Sequence, residues 1–329
     1  TCRSACRSIA AVAAPHSTLE ELSLLNKVIK GIGSDAIDFR LRQSDFRLNG
    51  KITPWLGGTV QEITHLKNVL IFGSSLRKDH PLMAAKFRQA AKTGSRVSVV
   101  HAVKDDLLMP VYVQQALAPS DWVGFAIQVA VSVAKQKELA LPAFAKEAVV
   151  SEAAEKVASS ILAGNSGILL GNAAANYPDA SVLHSVCSWI AEQTESKFGY
   201  LTEAANTVGG YIAGAYPQKT AAAVFSDAKK AYIVLHAEPE ADAAFAGKAK
   251  QALAAADMVV VMTPFKHGLE YADVLLPVSP FSETSGTFVS AEGRAQSFHA
   301  VVKPLAETRP AWKVLRVLGN LLGLSGFDF

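Results

Sequence analysis

The sequence predicts an α/β fold of three layers built on mainly parallel sheets. Three observations predict it. Short, continuous apolar runs recur along the 329 residues, as expected of strands buried on both faces. Turns containing Gly follow the runs, and stretches of helical periodicity follow the turns. Runs and helical stretches alternate rather than separating into blocks, which is the pattern of parallel strands joined by crossover helices.

The elements follow in order. Ser17-Thr18-Leu19-Glu20 has capping-box spacing, and Leu22, Leu25, Val28 and Ile29 then share one helical face, with Gly31 and Gly33 at its end. Residues 35–58 read as irregular, broken by Pro54 and Gly57-Gly58. Asn68–Phe72 is a buried strand, Gly73-Ser74-Ser75 turns the chain, and Asp79 and Pro81 suit the cap and first turn of a helix over 82–92. Arg96–His101 is the next strand, followed by helices over 120–137 and 151–163. A second strand–helix unit spans 167–171 and 179–193. Ala231–Leu235, 257–262 and 272–276 read as strands, 239–256 and 310–322 as helices.

Composition narrows the function classes. Half of the residues are hydrophobic and 19% are charged, ordinary values for a globular chain. A formal charge of +3 gives no field for a nucleic-acid groove, and four Trp with seven Tyr make no base-stacking platform. The longest apolar stretch, residues 123–134, is short of the roughly 20 residues that a membrane span needs, so no direct membrane insertion is expected. Three cysteines (Cys2, Cys6 and Cys187) make no disulfide framework. Residues 1–17 carry Arg3 and Arg7, several Ser and Ala and no acid. That suits either a targeting leader or a segment cut from a longer chain, and the second is the expectation adopted.

Candidate chemistry is sparse. The turns at Gly73-Ser74-Ser75-Leu76-Arg77 and Gly171-Asn172-Ala173 lack the further glycines of a dinucleotide or phosphate loop, so turn chemistry explains both. An iron–sulfur cluster takes four thiolates, which these cysteines cannot supply. Cys187, mid-helix among apolar residues, reads as a core thiol. The eight histidines show no zinc spacing, and His80 before Pro81 reads as a capping or packing residue. Glu283 and Glu292 stand in a polar loop around a short strand, where Glu292 and Arg294 can pair. No catalytic, cofactor-binding or metal-binding residue is assigned.

Two separated segments resemble one superfamily. Ala272-Asp273-Val274-Leu275-Leu276-Pro277, then Glu283-x-x-Gly286-Thr287, then Glu292-Gly293-Arg294-x-Gln296, is similar to a pattern of the molybdopterin oxidoreductases, with Ser290 in place of the usual Asn. The unit from Val69-Leu70-Ile71-Phe72-Gly73-Ser74 through His80-Pro81 to Gly94-Ser95-Arg96-Val97 resembles their central domain. Within the superfamily, residues 17–22, 38–46 and 203–209 look like the large iron–sulfur subunit of bacterial NADH–quinone oxidoreductase, respiratory complex I.

The resemblance implies a fold like domains II and III of formate dehydrogenase and DMSO reductase. It implies an inserted domain at 62–150 and a discontinuous larger domain made of 1–61 and 151–329. It also implies a structural, non-catalytic role in the peripheral arm, beside other peripheral-arm subunits and on the cytoplasmic side of the bacterial inner membrane. The chain itself would hold no cofactor, the 2Fe-2S and 4Fe-4S clusters belonging to a region N-terminal to it. The family's metal ligand falls near Gln43–Ser44, so Ser44 or Asp45 could ligate. Its guanine-binding acid after the second strand is replaced by His101. The alternatives are a molybdopterin-dependent oxidoreductase fragment and a plain nucleotide-binding α/β protein.

Overall fold

A computed structural model describes residues 8–48, 50–145, 148–217 and 224–329. Cys2 and Cys6, with Arg3 and Arg7, lie outside the described residues. The chain divides into two compact units, Thr1–Thr53 with Ala204–Phe329, and Pro54–Glu203.

The first unit opens with strand β1 (Ile9–Ala13), helix α1 (Leu19–Gly31) and strand β2 (Ile37–Asp38). β1 lies in the stretch that composition alone presents as a leader, and four of its five residues are fully buried. The cap of α1 also falls one residue later than its sequence spacing suggests. Thr18 accepts from the Glu21 N–H, and the Glu21 carboxylate accepts the Thr18 N–H at 2.8 Å. Ser17 is buried and contributes its carbonyl to Asn206.

The second unit comprises α2 (Val60–Thr64), β3 (Asn68–Phe72), α3 (Leu76–Asp79), α4 (Pro81–Lys92), β4 (Arg96–His101), β5 (Val113–Ala116), α5 (Trp122–Gln136), α6 (Glu152–Leu162), β6 (Ser166–Leu170), α7 (Asn172–Ala175), α8 (Ala180–Thr194) and β7 (Lys197–Tyr200). Its sheet has the order β5-β4-β3-β6-β7, parallel throughout. Every residue of β3 and β6 is buried, which requires cover on both faces. The expected insert at 62–150 would cut this sheet. β6 pairs with β3 along its whole length, so the unit runs on to Glu203. Asp79 does not cap α4 either. His80 is its N-cap, without a side-chain bond, and Asp79 accepts from the Ser75 N–H.

The chain then returns to the first unit through α9 (Thr207–Ile212), β8 (Ala231–Leu235), α10 (Pro239–Asp242), α11 (Ala246–Ala254), β9 (Met258–Thr263), β10 (Val274–Pro277), the hairpin β11 (Gly286–Val289) and β12 (Ala295–Phe298), and α12 (Ala311–Leu321). The sequence shows one helix over 239–256, but the chain breaks between α10 and α11, where Ala243 is extended. The sheet order is β10-β9-β8-β1-β2, again parallel. Alternation along β1 feeds two separate cores. Ala11 and Ala13 face a cluster with Leu22, Leu25 and Leu315, while Ala10 and Val12 face Tyr232, Ala249 and Leu253. Helix, sheet, helix is therefore the layering of this unit, as the sequence predicts.

Candidate functional site

Open parallel sheets bind ligands at the carboxyl ends of their strands, where the strand order reverses direction. Each unit has one such point. In the second it lies between β3 and β6, in the first between β1 and β8.

At the β3–β6 point two glycines meet. Gly73 has φ +59°, and a Cβ there would stand 2.5 Å from the Ala174 nitrogen. A Cβ on Gly171 would stand 2.3 Å from Ser74 Cβ and 2.7 Å from the Gly73 oxygen. The two turns thus press backbone against backbone. Three of their N–H groups are spent internally. Gly73 donates to Val100 O at 2.8 Å, Gly171 to Phe72 O at 2.8 Å and Ala173 to Gly73 O at 2.9 Å. A phosphate bound at such a turn needs free N–H groups, and these three are committed.

Around the turns stand polar groups that the sequence does not single out. The Ser75 hydroxyl meets Asp105 Oδ2 at 3.1 Å, and Arg77 donates to the Asp106 carbonyl at 2.7 Å. His101, at the end of β4, turns its Nδ1 to the Val103 N–H. A carboxylate thus stands at this sheet edge, supplied by the following loop instead of by position 101. Ser74 Oγ is buried without a hydrogen-bond partner among the described residues, while His80 and the Asn172 side chain interact with each other. Burial holds the His80 imidazole below its ordinary pKa, against the opposing pull of Asp79.

The β1–β8 point in the first unit carries a buried charge cluster. Glu21 is 2% exposed. One of its carboxylate oxygens takes the cap N–H of Thr18, and the other lies 3.5 Å from His236 Nε2. Burial pushes the Glu21 carboxyl up, but His236 and the Thr18 bonds outweigh it and hold the group below the usual range. His236 has φ +54°, an uncommon conformation for a residue other than glycine. Its ring stands 6.4 Å from that of His16, whose pKa burial and the neighbouring His236 both lower. A misplaced capping box hid Glu21, and His16 and His236 are 220 residues apart in the chain, so spacing carries no signal for this cluster.

The remaining sequence candidates are placed as follows. Asp45 is held by Arg47 through two guanidinium bonds at 2.9 and 2.8 Å and by the Arg47 N–H at 3.1 Å. A carboxylate so committed is poorly placed to ligate a metal. Glu283 accepts the Leu305 N–H at 2.9 Å. Glu292 and Arg294 pair at 3.4 Å in the β11–β12 turn, as their spacing suggests. Cys187 is fully buried, and burial pushes its thiol pKa up. Among the described residues no group of three or more His, Cys, Asp or Glu is placed to hold a metal ion, and no helix is long and apolar enough to cross a membrane.

Comparison with known proteins follows this geometry. Residues 4–321 match the molybdopterin oxidoreductase family profile. A Staphylococcus aureus protein (strain bovine RF122 / ET3-1), provisionally named a formate dehydrogenase, is 41% identical over 68 residues, 20% of this chain and 7% of that protein. Its counterpart in strain USA300 is 40% identical over the same length. The matched segment thus spans a small part of these relatives. Among solved structures, a chain of the formyltransferase/hydrolase complex of Methylorubrum extorquens, crystallised with methylofuran, superposes with TM-score 0.67 and 13% identity over 97% of this chain and 93% of that one. Acetylene hydratase of Pelobacter acetylenicus superposes with TM-score 0.62 and 15% identity, over 98% of this chain and 56% of that one. At such identities these structures establish the fold alone, while the profile covers nearly the whole sequence: the chain belongs to the molybdopterin oxidoreductase family.

Proposed function

We propose that this chain is a structural, non-catalytic module of the large peripheral-arm subunit of a respiratory NADH–quinone oxidoreductase. In this reading it supports electron transfer carried by 2Fe-2S and 4Fe-4S clusters outside the chain. It docks other peripheral-arm subunits and sits peripherally on the cytoplasmic side of the bacterial inner membrane. The observation that carries the reading is the closure at the β3–β6 point. There Gly73 and Gly171 pack backbone to backbone, and the Gly73, Gly171 and Ala173 N–H groups bond to carbonyls while that of Ser75 bonds to Asp79, which speaks against a cradle for the phosphates of a pterin dinucleotide. The commitment of Asp45 to Arg47 supports it further. Elemental analysis of the purified chain tests it. Molybdenum, tungsten and iron are expected well below one equivalent, and the protein colourless. Stoichiometric molybdenum or tungsten would contradict the reading.

A second reading, a molybdopterin-dependent oxidoreductase fragment, is favoured by Asp105 and the unpartnered Ser74 hydroxyl at the same edge. The similarity to formate dehydrogenase-named proteins points the same way. Aspartate-to-asparagine replacement at 105 separates the two. The scaffold reading expects a modest loss of stability, and the enzyme reading expects loss of a copurifying dinucleotide.

A further inference from the structure

We draw no further inference here: the strongest candidate, the exposed apolar patch of Phe281, Val301, Val302 and Leu305 on the segments that follow β10 and β12, which are tied together at the Ser282 carbonyl, carries nothing because nothing in the structure shows what covers it.

Discussion

At the scale of single residues, the protein's pH response is set by partly desolvated imidazoles and one buried carboxylate. Burial is the leading cause that lowers the pKa of His16, His80 and His184 below the ordinary 6.5. In the unfolded chain these rings take up protons near 6.5, while the folded ones remain neutral. The unfolded state therefore binds more protons, and stability falls as pH drops through 6.5 toward the folded values. Glu21 is held below 4.5, so it adds a second loss when pH falls through its folded value. Calorimetry between pH 7.5 and 5 should show a falling melting temperature, less steep in H184N; a flat profile would contradict the burial account. E21Q should destabilise by about 1–3 kcal/mol, because it takes the charge from a buried acceptor of the cap N–H and from the neighbour of His236. Cys187 needed no structure to place, because an apolar helical face already declares a core thiol. Asp105 did, since it reaches the sheet edge from a loop four residues past the end of β4.

At the scale of elements, largely apolar runs made β3, β4, β6 and β8 readable from the sequence, since strands covered on both faces leave few polar positions. β1 was hidden. Its Ile-Ala-Ala-Val-Ala run is small-residue-rich and follows an Arg- and Ser-rich start, so composition masked a central strand. β5 (Val-Gln-Gln-Ala) and β7 (Lys-Phe-Gly-Tyr) are four residues each, with polar or glycine positions, and only pairing with β4 and β6 defines them. Two substitutions test the elements. T18A removes the acceptor of the α1 cap and should cost about 1 kcal/mol, read by denaturant unfolding; S17A, which removes no cap bond, should cost less. G171A forces a methyl group against Ser74 and the Gly73 carbonyl, and should destabilise by about 1–3 kcal/mol. An unchanged midpoint in G171A would mean that the β3–β6 edge is open rather than pressed shut.

At the scale of the whole molecule, two units each carry a five-stranded parallel sheet, and the second is inserted into the first. Alternation of strands and helices made the fold class legible. The boundary was not legible, because β6 and β7 look locally like any other strand–helix unit, and only the pairing of β6 to β3 and of β7 to β6 assigns them to the insert. Residues 54–203 expressed alone should therefore melt cooperatively, whereas 62–150, lacking β6 and β7, should not. The central claim is that the family fold persists here without its dinucleotide, and one measurement tests it most directly. The purified full chain is incubated with molybdopterin guanine dinucleotide, separated from free ligand and analysed by native mass spectrometry. The account predicts retention far below one equivalent, unchanged in D105N. Retention near one equivalent, lost in D105N, would contradict it and make this edge a cofactor site.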